Sequence, residues 1–167
     1  MQSRVMKVRW SKLRTRLRQL MAASVERHLD VHVTLYRYTK EEDGRVWFTW
    51  DRVEVARFDD GTFWWRVLPL TDELRALGAD DAWERAIETA NAEANTDVSR
   101  FYESALSYLD LPIENSLASS DFVVRGFAMI DRRVGKRTLA SLADGDEPNP
   151  FVRRMLDLRL SAEGLDT

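Results

Sequence analysis

VWFTWDRVEVARFDDGTFWWRV, residues 46–67, holds four of the six tryptophans, and its reading decides the fold. Val46, Phe48 and Trp50 alternate with Trp47 and Thr49, the period of a strand, whose side chains point to opposite faces in turn. Asp51 and Arg52 can form a two-residue turn, after which Val53 and Val55 return. Asp59, Asp60 and Gly61 read as a further turn before Phe63, Trp65 and Val67. Upstream, Val31, Val33 and Leu35 alternate with His32, Thr34 and Tyr36 and lead into the turn-rich EEDGR of Glu41 to Arg45. The expectation is a four-stranded antiparallel meander.

Strands of about 5 residues need a second layer to bury one face. On the N-terminal side, Leu13, Leu17, Leu20, Met21, Val25 and Leu29 recur at three and four, which predicts one amphipathic helix from Ser11, a candidate N-cap, to about His28. After Pro69 the period changes to helical. A short helix from Asp72 to Leu77 is expected to stop at Gly78, followed by one from about Asp80 and one over Val98 to Leu109. Leu111 to Ser120 reads as a loop, then Phe122, Val123, Phe127 and Ile130 mark another helix; Asp131 to Ala143 either continues it or forms its own. Phe151 to Leu165 reads as the last helix. The fold class is therefore α+β, with an N-terminal helix, the meander and a helical C-terminal half packed on the sheet. A chain of 167 residues suits a single domain, with a subdivision near Pro69 into 1–69 and 70–167 as the alternative.

Composition narrows the function classes. The chain has no cysteine, which removes disulfides, thiolate nucleophiles and cysteine-containing zinc sites, and suits a cytoplasmic location. The N-terminus is basic throughout, without an apolar signal region, and no apolar run reaches the roughly 20 residues of a membrane span. The net charge of −3 is uneven: residues 1–28 carry +7 and the remainder −10. Two basic groups follow as anion-binding candidates, Arg14 and Arg18 on the first helix and Arg132, Arg133, Lys136 and Arg137 further on. Solvated faces, or pairing with local acids such as Asp131, explain the same residues.

The second face of the expected sheet is aromatic: His32, Tyr36, Tyr38, Trp47, Phe58 and Trp64. Of these, Tyr36, Tyr38, Trp47 and Trp64 are the candidates for holding a ligand or partner, because aromatics on a sheet can stack bases or fill an interface. Burial beneath the later helices is the favoured account of them. Six basic and seven acidic residues over Val31 to Leu68 oppose a nucleic-acid platform, which needs a positive balance. For catalysis, His28, His32 and Asp30 straddle a helix-to-strand junction, without an HExxH, GxSxG, Walker-type or GxGxxG motif anywhere. Carboxylates such as Asp59, Asp60, Glu84, Glu88 and Asp97 need burial or proximity to do acid–base work. The reading leans away from an enzyme, implies no cofactor or metal, and favours binding of a partner or small ligand between sheet and helical half, or self-association. Nucleic-acid binding through the basic clusters is the alternative, and an acid–base enzyme the third.

The segments VRWSKLRTRLRQLMAASVERHLDVHVTLYRY, DGRVWFTW, EVARF, DRRVGKRTL and LRLSAEGL together resemble a family of small uncharacterised bacterial proteins. Trp10, Leu13, Tyr36, Trp47 and Phe58 carry the resemblance, with Arg132, Gly135, Lys136 and Arg137. It spans most of the chain and implies a bacterial cytosolic protein with no catalytic residue to carry over. In that family the start lies close before the Trp-x-x-Leu, which makes Met6 a candidate initiator.

Overall fold

The computed structural model describes residues 8–35 and 44–165. In chain order the elements are α1 (Trp10–Leu20), α2 (Ala23–Glu26), β1 (Leu29–Leu35), β2 (Gly44–Trp50), β3 (Val53–Asp59), α3 (Asp60–Ala76), α4 (Ala82–Ala92), α5 (Val98–Asp110), α6 (Ile113–Leu117), α7 (Phe122–Met129), α8 (Lys136–Ala143) and α9 (Pro150–Glu163). The class is α+β. Among the described residues the sheet has three antiparallel strands in the order β1-β2-β3, one fewer than the alternation predicts.

The missing strand is the first half of α3. Asp59 ends β3 in an extended conformation and caps the helix, its carboxylate accepting the N–H of Thr62 at 2.7 Å and the Thr62 hydroxyl at 2.9 Å. Phe63, Val67, Leu70 and Leu74 follow at helical spacing, a period that continues through Pro69. A proline inside a helix removes the N–H that would meet the carbonyl four residues back. Here that residue is Trp65, 83% exposed, so water can serve its carbonyl. The predicted helix from Asp72 is thus the end of α3, which stops before Gly78 at φ +82°.

Two further expectations change. The N-terminal helix begins one residue before Ser11, with Arg9 at the cap position, and it breaks after Leu20. Met21 turns extended and bridges to Asp131, while Ala22 N–H donates to the Ile130 carbonyl at 2.9 Å and Arg132 N–H to the Leu20 carbonyl at 2.8 Å. These two hydrogen bonds form the crossing, and α2 resumes beyond it. The stretch from Leu111 to Ser120 contains α6. Downstream, α8 is a helix separate from α7.

The turn at Asp51 and Arg52 is a two-residue hairpin with φ +48° and +72°, so both residues have the left-handed geometry that matches strand twist. Beyond it the register slips. Thr49 pairs with Glu54 but Phe48 pairs with Ala56, so Val55 is an extra residue on β3, a bulge. In continuous register Phe58 faces away from the core with Arg45; the bulge sets it opposite Val46 and turns it inward. Phe58 is accordingly buried rather than on the second face.

Val31, Val46, Phe48 and Phe58 pack on α1, α5, α7 and α9 through a cluster that includes Phe101, Phe122, Phe127 and Phe151. Phe48 lies 5.1 Å from Phe151 and 6.1 Å from Phe101 and Phe127, ring centre to ring centre. Gly126 is required by this packing, because a Cβ there would stand 2.2 Å from the Phe151 ring. The interface between sheet and helical half is filled. A second, smaller core joins α3 to α4 through Phe63, Val67, Ala86 and Ala90, with Trp64 and Trp83 at its margin. Pro69 lies inside this hairpin's first helix.

Candidate functional site

Three helix starts converge on one cleft. Asp97 caps α5 by accepting the N–H of Arg100 at 2.7 Å, and Asp121 caps α7 by accepting those of Val123 at 2.9 Å and Val124 at 3.3 Å. Asn149 caps α9, and its amide donates to the Asn91 carbonyl at the end of α4 at 2.9 Å. Between them lies a cavity of about 700 Å³ bounded by α4, α5, the start of α7 and the segment before α9. Its apolar lining is Ala92, Phe122, Val123 and Pro148, of which Phe122 and Val123 are buried. Hydroxyls of Thr96, Ser104, Ser107 and Ser120, amides of Asn91 and Asn149, carboxylates of Glu88, Glu103 and Asp121, and the guanidiniums of Arg100 and Arg125 supply the polar lining.

The charges of the cleft are already organised. Arg100 donates to Asp97 at 3.1 Å, while Arg125 donates to the Ser119 carbonyl at 2.8 Å and to Glu147 at 3.1 Å. Ser104 donates its hydroxyl to the second oxygen of Asp121 at 2.5 Å. Side chains cap all three helix starts and take up part of their N-terminal N–H groups, which weakens each start as an anion site. The lining carries three carboxylates and two guanidiniums, a negative balance that suits a neutral or cationic ligand rich in hydrogen-bonding groups.

The residues singled out by sequence lie elsewhere. Tyr36 and Tyr38 fall outside the described residues. Trp47 stands on the face of the sheet opposite the core, half-buried by its own neighbours rather than by a second layer of helices: His32 stacks on it at 5.0 Å and 16°, and the Arg45 guanidinium lies 4.5 Å from the ring centre. A ring with two planar partners has little free face for a third. Trp64 is on α3, not on the sheet, stacked on Trp83 at 5.8 Å. The two histidines do not converge: His28 meets Asp51 at 2.8 Å and stacks on Trp50, whereas His32 meets Thr49 at 3.0 Å. No group of three or more potential metal ligands occurs among the described residues.

The basic candidates divide. Arg14 forms a two-pronged pair with Asp30 at 2.9 and 2.5 Å, and Arg18 reaches Glu26 at 3.4 Å. Burial on its own would raise the Asp30 pKa, but the Arg14 bonds and the Val31 N–H outweigh it and hold the carboxyl below its usual range. Arg133 belongs to a buried hub. Asp131, with no solvent exposure, accepts from Arg133 at 2.6 Å and from the Tyr108 hydroxyl at 2.5 Å. Burial and the adjacent Asp131 carboxylate push the Tyr108 hydroxyl far above its ordinary pKa, so it stays a donor. Beside the hub, Arg159 donates to the carbonyls of Ile130, Asp131 and Val134 and sits 3.0 Å from Glu163, which also accepts from Ser24 at 2.7 Å. Lys136 approaches Glu163 only to 3.8 Å. Arg132 and Arg137 are exposed with no ion pair among the described residues.

Sequence reasoning missed the cleft. Of the acids it named, Glu88 is on the rim, Asp97 caps a wall helix, and Asp60 instead ties the N–H of Gly44 at 2.7 Å to that of Val98 at 2.8 Å. The readable signals were the caps Asp97, Asp121 and Asn149, each a helix-start residue type directly ahead of an apolar-periodic run.

A family model described as the SF0329 protein family matches residues 9–160, and the chain belongs to that family. No curated protein and no solved structure matches it. Among the described residues no helix is long and apolar enough to cross a membrane.

Proposed function

We propose that this member of the SF0329 protein family is a non-catalytic binding protein whose ligand site is the cleft between α4, α5 and the starts of α7 and α9. The observation that carries the reading is a cavity of about 700 Å³ lined by apolar side chains with donors and acceptors mixed among them, the common makeup of a small-molecule site. The ligand is a small polar molecule or short peptide segment, neutral or cationic. The aromatic packing beneath the sheet supports a site within the helical half rather than between sheet and helices. The bacterial, cytoplasmic setting implied by the sequence resemblance belongs to the same proposal.

Ser107→Trp, at an exposed lining position of α5, tests it by filling the cleft. Native mass spectrometry of freshly purified protein and thermal-shift screening of neutral and cationic small molecules are expected to find binding to the wild type that this variant loses. Equal binding by both proteins overturns the assignment of the cleft.

A second reading rests on Arg132 and Arg137, exposed beside Lys136 and free of ion pairs among the described residues. It is nucleic-acid binding, and it requires that Arg132→Glu with Arg137→Glu abolish a salt-sensitive gel shift with RNA or DNA. Salt-insensitive binding, or none by the wild type, removes it.

A further inference from the structure

Outside the cleft, the α3–α4 hairpin carries an unpartnered apolar face. Trp65 is 83% exposed and Leu68, one turn on, 52%, with Pro69 exposed beside them. Isolated surface leucines are ordinary, but an exposed tryptophan flanked by further apolar side chains on one helix face marks an interaction site. Residues 60–93, which contain this hairpin, hold eight carboxylates against three arginines, a net charge of −5. A partner for this face must therefore offer apolar surface within a positive field.

The chain itself contains such a surface. Residues 8–20 carry five cations and no acid, and of the five Arg14 and Arg18 are paired with Asp30 and Glu26. Arg9, Lys12 and Arg16 are exposed, Arg16 held only loosely by Asp110 at 3.7 Å. Along the seam where α1 packs on α5, Trp10, Leu20, Leu106 and Leu109 are only partly buried. Pairing two copies of the hairpin about a two-fold axis would bring together two units that each carry −5 over residues 60–93. Pairing α3 with the α1–α5 seam opposes charges of opposite sign and covers partly open apolar surface on both sides.

We propose that the Trp65 face of one copy docks on the basic α1–α5 seam of a second copy. The two surfaces differ, so the contact is heterologous: in a pair one copy keeps an unused α1–α5 seam and the other an unused Trp65 face, and association continues into chains or closes into a ring. Exposed charges are screened beyond about 10 Å at 0.1 M salt and about 3 Å at 1 M, so the association weakens as salt rises.

Sedimentation velocity over a range of protein concentrations, at about 50 mM and about 0.5 M salt, tests the proposal. The wild type is expected to form concentration-dependent oligomers at low salt and to lose them at high salt. Trp65→Ser with Leu68→Ser disables one surface, and Lys12→Glu with Arg16→Glu the other; each double variant is expected to lose association by about 30-fold or more. Circular dichroism checks that each remains folded, as substitution at exposed positions should allow. Mixing the two variants is the decisive arm, because each retains the surface the other lacks, and the mixture is expected to stop at a dimer. A wild type that stays monomeric at every concentration in low salt overturns the proposal. So does association that survives either double variant, or variants that fail to pair when mixed although the wild type associates.

Discussion

The sheet with α5, α7 and α9 and the α3–α4 hairpin use similar residues in opposite ways. In the first, aromatic rings meet one another and are closed off from water, as with Phe48, Phe58 and Phe101. In the second, Phe63 is buried but its core is completed by Val67, Ala86 and Ala90, small side chains that bury little area. Trp65, two residues on from Phe63, stands in solvent. The main core is built for stability, while the hairpin is held by fewer apolar contacts and presents surface. Regions with small cores open locally at lower free energy than the global transition, and binding surfaces are drawn from them.

The largest expected effect tests the main core. Phe48→Ala is expected to destabilise the whole protein by about 3–5 kcal/mol in urea denaturation, since Phe48 has no exposure and touches rings from α5, α7 and α9. A loss below about 1 kcal/mol would mean that the core collapses around the gap, and the comparison would fail. Asp131→Ala follows, with a loss of about 3 kcal/mol, because it leaves the buried Tyr108 hydroxyl and the Arg133 guanidinium without their acceptor. The same measurement distinguishes a structural DRRVG segment from one free for ligands.

Phe63→Ala sharpens the contrast. It removes the centre of the small core and is expected to cost about 2–3 kcal/mol, expressed as faster amide exchange confined to α3 and α4 while α7 and α9 keep their protection. Uniform acceleration across the chain would show one cooperative unit. The smallest effect concerns the ion pairs outside both cores. The Asp30 carboxyl is depressed in the folded state, so its contribution is present above the unfolded carboxylate pKa, near pH 4, and is lost as pH falls through the folded value. Arg14→Met is expected to cost under about 1 kcal/mol at neutral pH, with the variant and wild type converging in acid. A gap that widened on acidification would contradict that sign.

Legibility from sequence followed the locality of the cause. The Asp51-Arg52 hairpin and the α3 stop at Gly78 were readable, because turn and cap chemistry is decided within a few residues, and the last helix was read from Phe151, one residue after its start at Pro150. The start of α3 was misread because Phe63, Trp65 and Val67 satisfy a strand period, while Phe63, Val67, Leu70 and Leu74 satisfy a helical one across Pro69. Proline as a stop signal gave the wrong choice between them. The candidate site was nearly invisible, since its walls come from segments between Glu88 and Asn149 that meet only once the helices pack.

By itself the sequence determined the α+β class, the exclusion of cysteine chemistry, the hairpin turn and the helical C-terminal half, all consequences of composition and short-range periodicity. Only the tertiary structure decided three things. It set which face Phe58 takes, because one bulge residue reverses the alternation of everything beyond it. It set which distant cations are occupied, because Asp30 reaches Arg14, sixteen residues away, only when β1 packs beside α1. It set where an open cleft remains, because a cavity is what close packing leaves between elements, and no single segment encodes it.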